Sequence, residues 1–148
     1  MKYCYDYPRP AVTVDAAIFA PCENDMYVLL IERKHDPYSG FFALPGGFVD
    51  ENETLENAVE RELKEETSLA LSGLKQFKAY SNPNRDPRGR TISVVFTLQL
   101  DSFPEAFAGD DAASLKWFSV KQLPKLAFDH NIILDEIFES LFEKDFSD

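Results

Sequence analysis

The sequence predicts a single mixed α/β domain, and three observations support this prediction. Its 148 residues are a typical length for one domain. Hydrophobic residues make up 45% of the chain, which is enough to bury one core. Runs typical of strands come before, between and after two amphipathic segments, and the sequence contains no internal repeat, low-complexity tract or linker. We therefore expect one domain over residues 1–148.

The order of the elements follows from alternating, β-branched and amphipathic runs. Strands are predicted at residues 12–20, 26–33, 42–44, 74–80, 91–100 and 115–120, the third of them broken by Pro45-Gly46-Gly47. Helices are predicted at residues 54–67 and 131–146, where apolar side chains recur every three or four positions. A hairpin turn is expected at residues 21–25, a polar loop at 34–41 and a long exposed loop at 81–90.

The formal net charge of −11 argues against two classes of partner. Polymeric DNA or RNA requires clustered Lys and Arg, and an anionic membrane surface would repel so acidic a protein.

The N-terminus lacks the apolar segment of a signal peptide, and no apolar run approaches the roughly 20 residues that span a bilayer. Cys4 and Cys22 have no metal-type spacing and are expected to be reduced thiols. We therefore expect a cytoplasmic protein. A small anionic ligand stays open, because a bound divalent cation can reverse the local field.

Residues 50–66 contain eight acidic side chains against two basic ones. On a helical wheel at ~100° per residue, with Leu55 at zero, Leu63 lies near ~80° on the apolar stripe. Glu62 and Glu66 fall within ~20° of Leu55, inside that stripe, and Glu65 falls at its edge. A solvated charged face is the usual explanation of a charge run, but carboxylates on an apolar side are costly unless a cation is present. The i, i+3, i+4 spacing of these glutamates and their oxygen ligands suit Mg²⁺ or Mn²⁺.

The same stretch resembles the Nudix box, the signature of the Nudix hydrolase family. It reads Gly47-x5-Glu53-x7-Arg61-Glu62-Leu63-x-Glu65-Glu66-x-Ser68-Leu69 and departs from the family pattern at Ser68, where the family has glycine. That glycine follows the helix, where a left-handed conformation is common, so we expect the change to affect local stability rather than chemistry. Residues 7–15, 82–90, 108–112 and 126–130 resemble the ADP-ribose pyrophosphatase-like branch, as does Pro83 after the box.

The resemblance implies a fold and a reaction. The fold is an α/β/α sandwich with a mixed β-sheet between helices. The reaction is hydrolysis of a nucleoside diphosphate linked to another moiety, with Mg²⁺ or Mn²⁺ as cofactor and a small nucleotide as substrate. Many members of the family are dimers, so a homodimer is also an expectation.

The resemblance also assigns roles to individual residues. Metal binding falls to the Gly46 carbonyl and to the carboxylates of Glu62, Glu65 and Glu66. Glu62 would alternatively position the attacking water. Arg61 would pair with Glu53 and orient the glutamates, a supporting role next to the metal.

Outside the box, three arginines of the 81–90 loop could clamp phosphate or ribose: Arg85, Arg88 and Arg90. The alternative is a solvated loop that offsets neighbouring acids. Some family members place an extra acid near the metal in the loop that holds Glu105, Asp110 and Asp111, but this role is not the expected one for any of them.

Aromatic residues and one histidine are weaker candidates. His130 is expected to lie near a helix start rather than to act as a catalyst. Phe41, Phe48 and Tyr80 could stack on a base, but packing in the core or at its rim is the expected role.

The leading hypothesis is therefore a metal-dependent pyrophosphohydrolase acting on ADP-ribose or a similar nucleoside diphosphate derivative. The first alternative is a sensor that binds ADP-ribose without turnover, as transcription regulators of this branch do. Because the chain stops at Asp148 and its charge is wrong for DNA, we do not expect a DNA-binding domain. The second alternative is a pyrophosphatase that removes unwanted nucleoside triphosphates.

Overall fold

A mixed β-sheet organises the molecule, whose computed structural model describes residues 2–106, 108–109 and 112–142. The strands are β1 Ala11–Cys22, β2 Asp25–Arg33, β3 Phe42–Ala43, β4 Gly46–Phe48, β5 Lys75–Tyr80, β6 Thr91–Gln99 and β7 Ala112–Ser119. The helices are α1 Leu55–Thr67 and α2 His130–Ile137, and α2 continues into a π-helical turn at Phe138–Phe142.

The strand order is β3-β2-β1-β6-β5, with β4 beside β1 and β7 beside β2. The β1–β6 pair is parallel and the other pairs are antiparallel. Strands β1 and β2 pair with each other near their hairpin turn, from Phe19 opposite Val28 to Cys22 opposite Asp25. Farther from the turn, β1 pairs with β4 and β2 pairs with β3. The two long strands therefore diverge, and the short strands β3 and β4 lie in the gap between them.

Strand β1 is buried on both faces because a helix covers each side of the sheet. Val14, Ala16 and Ile18 pack in one core cluster with residues of α1. Ala17 and Phe19 pack in the other cluster with residues of α2. This alternation is what a period of two requires of a central strand. The predicted α/β/α sandwich is confirmed.

The six predicted strands and two predicted helices are present, with differences at their ends. Strand β7 begins at Ala112, three residues before the predicted start at residue 115. Helix α2 begins at His130 and changes to π-helical geometry at Phe138, while residues 143–146 of the predicted helix lie outside the described part of the chain. Strand β4 was not predicted, because Pro45-Gly46-Gly47 was interpreted as a break. Its glycines are compatible with a strand here because other groups approach their backbone closely.

Helix α1 has well-defined ends. The Thr54 side chain accepts a hydrogen bond from the Asn57 N–H at 3.1 Å and caps the first turn. At the other end, Ser68 adopts the left-handed conformation with φ 65° and ψ 12°, and its N–H donates to the Lys64 carbonyl at 2.9 Å. The helix thus ends as the family pattern requires even though serine replaces glycine.

Within the described ranges, neither helix is long and apolar enough to cross a lipid bilayer.

We expect Ser68→Gly to stabilise the protein by roughly 1 kcal/mol, because glycine adopts the left-handed conformation without the steric cost of a Cβ. Ser72→Gly is the matched control, since Ser72 is exposed and does not have a positive φ. Urea unfolding of both variants measures the difference. A Ser68→Gly variant no more stable than Ser72→Gly would contradict this explanation of the helix end.

Candidate active site

The Arg61 guanidinium connects the acidic residues at the end of α1. Its Nε donates to Glu53 Oε2 at 3.0 Å and its Nη2 to Glu53 Oε1 at 2.6 Å. Its Nη1 donates to Glu62 Oε1 at 2.8 Å and to Glu65 Oε2 at 3.2 Å. Nη2 also donates to the Phe48 carbonyl at 3.0 Å, which ties β4 to the helix. The structure therefore places Arg61 next to Glu53, the partner that the sequence predicts.

These contacts shift the pKa values of Glu53 and Arg61. Hydrogen bonds from Arg61, together with the Asp50 N–H, lower the pKa of Glu53 to about 2. The same Glu53 contact raises the pKa of Arg61 above its ordinary value. Both groups are thus held in their charged forms at neutral pH.

Glu62 is largely enclosed, with 13% of its side chain exposed. Burial raises its pKa, although the hydrogen bond from Arg61 partly opposes the shift. A Cβ at position 47 would lie 2.5 Å from the Glu62 carboxyl carbon, so a larger residue there would displace this carboxylate. The helix-wheel prediction that Glu62 points to the apolar side is consistent with this burial. A carboxylate with a raised pKa is a better proton acceptor.

Glu66 faces the opening between β1 and β2. Its Oε2 accepts a hydrogen bond from the Gly46 N–H at 3.0 Å, which fixes the carboxylate next to the start of β4. The backbone carbonyl of Glu66 accepts from the Gly109 N–H at 2.9 Å. Gly46 and Glu66 are therefore adjacent, as two members of one ligand set would have to be.

The donor set fits a hard divalent cation in its chemistry. Carboxylate oxygens at i, i+3 and i+4 of a helix, next to a backbone carbonyl, are the ligand types that Mg²⁺ and Mn²⁺ accept. In the described residues no three His, Cys, Asp or Glu side chains converge as a ready metal cluster. Arg61 binds two of the three glutamates, Glu62 and Glu65, through a single nitrogen.

A cavity lies in the gap between β1 and β2, next to the last turn of α1. Its lining comprises Thr13, Asp15, Ile31, Arg33, Ala43, Leu44, Gly46, Gly47, Phe48, Glu66, Arg85, Asp86, Arg88, Phe128 and His130. Three carboxylates and three guanidinium groups belong to this set, so their formal charges cancel.

His130 joins the cavity lining to the segment between β3 and β4. Its Nδ1 accepts a hydrogen bond from the Leu44 N–H at 3.0 Å. Nδ1 therefore carries no proton, and the neutral ring carries its proton on Nε2, which lies 3.8 Å from Asp15 Oδ1. Burial lowers the pKa of His130 and favours this neutral form. Asp15 in turn accepts a hydrogen bond from the Ser93 hydroxyl. His130 is also the first residue of α2, the helix-start position that the sequence favours.

The three loop arginines have different surroundings. Arg85 is almost fully buried and donates to Asp129 through Nε at 2.9 Å and Nη2 at 2.7 Å. Arg88 lines the cavity and pairs with the buried Asp86 at 2.8 Å. Arg90 donates to the Ser81 carbonyl at 2.8 Å and is not part of the cavity lining. The structure brings Arg85 and Arg88 to the candidate site, but it does not place Arg90 there.

The remaining sequence candidates lie in different places. Glu105 is exposed and does not belong to the cavity lining, whereas Asp110 and Asp111 lie outside the described residues. Tyr80 is a core residue whose hydroxyl donates to Glu136 at 2.6 Å, and Phe41 packs against Tyr38. Sequence reasoning missed four charged or aromatic members of the cavity: Asp15, Arg33, Asp86 and Phe128. For Asp15 a signal was present, since it is the single charged residue in the buried part of β1.

Comparison with known proteins decides the family. The NUDIX domain family model matches residues 10–141 of the chain. The chain belongs to the Nudix family. The resemblance inferred from the box is confirmed, including the ADP-ribose pyrophosphatase-like branch.

Three similar proteins illustrate this relationship. An ADP-ribose pyrophosphatase of Methanocaldococcus jannaschii is 50% identical over 130 residues, covering 88% of this chain and 74% of that protein. The ADPR responsive transcriptional repressor NtrR of Acinetobacter baylyi is 34% identical over 143 residues, and the match spans 94% of this chain but 57% of the repressor. The NUDIX domain of Shewanella oneidensis NrtR, solved in complex with ADP ribose, superposes with a TM-score of 0.84 at 34% identity and covers 93% of this chain and 94% of that one.

We expect Glu53→Gln to lower the melting temperature at pH 7, because it weakens the contact with Arg61. The folded-state pKa of Glu53, about 2, lies below the ordinary 4.5, so the contact stabilises the fold fully above pH 4.5. That stabilisation is lost as the pH falls towards 2. The difference in melting temperature between wild type and variant should therefore shrink over this interval. The exposed neighbour Glu51 supplies the control, Glu51→Gln. A pH-independent difference would show that the contact is not ionic.

We expect His130→Leu to destabilise the protein by about 1–3 kcal/mol, because it leaves the buried Leu44 N–H without an acceptor. His130→Asn keeps an oxygen acceptor close to the position of Nδ1 and should be less destabilised, although its side chain is smaller. Chemical unfolding compares the two variants. If the leucine variant is as stable as the asparagine variant, the hydrogen bond does not hold Leu44.

Proposed function

We propose that this Nudix protein is a metal-dependent pyrophosphohydrolase that cleaves the diphosphate bond of a nucleoside diphosphate derivative, with ADP-ribose as the favoured substrate. The observation that carries the proposal is the set of glutamates at the end of α1. They lie next to Gly46 and at the edge of a cavity that is lined by charged side chains. The 50% identity to an ADP-ribose pyrophosphatase supports the choice of substrate.

Glu62, Glu65, Glu66 and the Gly46 carbonyl would hold the cation, which we propose to be Mg²⁺ or Mn²⁺. A divalent ion there neutralises phosphate oxygens and lowers the pKa of bound water. This charge also explains how a protein with a net charge of −11 accepts an anionic substrate.

The protein's own residues then have distinct tasks. Arg61 and Glu53 hold the helix end and the β4 backbone in register, so that the glutamates and Gly46 stay adjacent. Burial raises the pKa of Glu62. Glu62 is therefore the candidate to position the attacking water or to accept its proton. Arg85 and Arg88 lie where they can reach a substrate in the cavity. For Arg90 a substrate contact would need a rearrangement of the loop, because its guanidinium is bound to Ser81.

A sensor without turnover is the second candidate. It is favoured by the 34% identity to an ADPR responsive repressor and by the likeness to a NUDIX domain solved with ADP ribose. The presence of Glu62, Glu65 and Glu66 in this chain favours catalysis, since a sensor needs no water-activating carboxylates. A cytoplasmic location, a single domain over residues 1–148 and a homodimeric state complete the proposal.

The test is a hydrolysis assay with ADP-ribose, in Mg²⁺, in Mn²⁺ and in chelator. Water attack on the diphosphate yields AMP and ribose 5-phosphate, which chromatography resolves. We expect metal-dependent formation of both products, and slower hydrolysis of nucleoside triphosphates. Binding of ADP-ribose without products in either metal would favour the sensor, and faster turnover of triphosphates would favour the second alternative.

We expect Glu66→Gln to reduce the turnover number by at least about 100-fold, because it removes a charged ligand and keeps an acceptor for the Gly46 N–H. Glu60→Gln, on the opposite side of the same helix, is the matched control and should keep wild-type turnover. Melting temperatures should be similar for both variants. Wild-type turnover in Glu66→Gln would overturn the assignment of the metal site.

A further inference from the structure

The guanidinium of Arg85 is held inside the protein by one partner. The Arg85 side chain is 3% exposed and forms a two-point ion pair with the Asp129 carboxylate. Nε donates to Oδ2 at 2.9 Å, and Nη2 donates to Oδ1 at 2.7 Å. A pair with this geometry fixes the plane of the guanidinium as well as its position.

The third nitrogen of this guanidinium faces the cavity. Within the part of the chain that the structure describes, the Arg85 side chain donates through Nε and Nη2, and Nη1 makes no hydrogen bond. None of the fully buried side-chain nitrogens and oxygens of the described residues lacks a partner, so Nη1 is not fully buried. Because Arg85 lines the cavity, the open space next to Nη1 is the cavity. Nη1 therefore offers its N–H donors to a bound ligand.

Asp129 lies behind Arg85, outside the cavity lining. Its neighbours in sequence, Phe128 and His130, belong to the lining, whereas Asp129 does not. Asp129 is also the N-cap residue of α2, a position at which an aspartate commonly accepts a hydrogen bond from the first turn of the helix. Its side chain makes no such bond. The carboxylate therefore serves Arg85 instead of the helix end.

The backbone next to Asp129 is fixed to the sheet. The Ala127 N–H donates to the Phe42 carbonyl of β3 at 2.8 Å, and Asp129 directly precedes α2. Arg85, by contrast, lies in the fully described loop at residues 81–90, which joins β5 to β6 without a helix or strand. The ion pair consequently ties a loop side chain to a point that the sheet and α2 define.

The buried position of Arg85 makes a partner necessary. Burial alone would lower the pKa of Arg85, but the hydrogen bonds and charge of Asp129 outweigh this effect and raise the pKa. A buried guanidinium is costly without a carboxylate beside it. Without Asp129 we expect the Arg85 side chain to turn towards water or towards the cavity carboxylates of Asp15 and Asp86. The direction of Nη1 would then be lost.

We propose that Asp129 is a positioning residue for substrate binding, which aims Nη1 of Arg85 at an acceptor oxygen of the substrate in the cavity. This inference rests on the proposed function, in which Arg85 reaches the substrate. Asp129 does not touch the substrate, and its effect on binding passes through Arg85. Because the contact is present in both the bound ground state and the transition state, its loss raises KM and leaves kcat nearly unchanged.

The test is a double-mutant cycle on ADP-ribose hydrolysis, with Asp129→Asn, Arg85→Gln and the double variant. Asp129→Asn keeps the size of the side chain and removes its charge. We expect it to raise KM at least about fivefold, with kcat changed less than about twofold. Arg85→Gln should raise KM by at least as much. The double variant should have the KM of Arg85→Gln, because Asp129 has no effect on binding once the guanidinium is absent.

Two further variants separate positioning from a merely structural role. Glu136→Gln is the matched control, because Glu136 lies on α2, pairs with Lys78 at 3.2 Å and does not line the cavity. It should keep the wild-type KM. Asp129→Glu keeps the carboxylate and should have a KM closer to wild type than Asp129→Asn has. A structural role would lower the melting temperature and the amount of folded enzyme, and KM does not depend on that amount.

A wild-type KM in Asp129→Asn would overturn the positioning role, and so would a double variant in which the two increases in KM multiply. If the wild type does not hydrolyse ADP-ribose with either metal, the proposed function has failed. Calorimetric dissociation constants of ADP-ribose for the same variants then replace KM, with the same expected pattern. An unchanged dissociation constant in Asp129→Asn, or no binding to the wild type, would overturn the positioning role as well.

Discussion

The contact on which the site depends is the guanidinium of Arg61 among its acidic neighbours. Three glutamates within hydrogen-bond distance of one arginine would repel each other without it. The same guanidinium donates to the Phe48 carbonyl, so the acidic helix end and the edge of β4 are held by one group. A contact that reduces the repulsion within the cluster therefore also sets the distance between the helix and the backbone of the strand next to it.

The second constraint is the divergence of β1 and β2. Because these strands separate beyond their hairpin turn, two short strands fit between them and a cavity remains at their ends. The backbone must pass close to other groups there. A Cβ at Gly46 would come within 2.1 Å of the Val14 carbonyl, and one at Gly47 would meet the Glu62 carboxylate. Two consecutive glycines thus allow the strand edge to approach both the central strand and the acidic helix.

The sequence was sufficient for the features that are local or periodic. The helical wheel of α1 depends on spacing alone, and it places Glu62 and Glu66 on the inner side of the helix. In the structure both residues are partly buried. Strand β4 could not be predicted, because glycine has low strand propensity and only a tertiary clash explains its presence. The Arg85–Asp129 pair and the Leu44–His130 hydrogen bond join residues 44 and 86 positions apart. Sequence periodicity does not indicate which distant residues become partners. The contacts of Arg85 and His130 in the cavity lining therefore could not be predicted from the sequence.

The two halves of the site differ in charge, and this difference bears on how a substrate would lie. At the end of α1, the glutamates outnumber Arg61, and the proposed cation there would attract phosphate oxygens. Inside the cavity, three carboxylates and three guanidinium groups share the lining, and the Arg88 guanidinium lies over the Phe48 and Phe128 rings. Glu66 belongs to both halves, since it lines the cavity and accepts from Gly46. The scissile bond would accordingly lie near Glu66, at the boundary between the two.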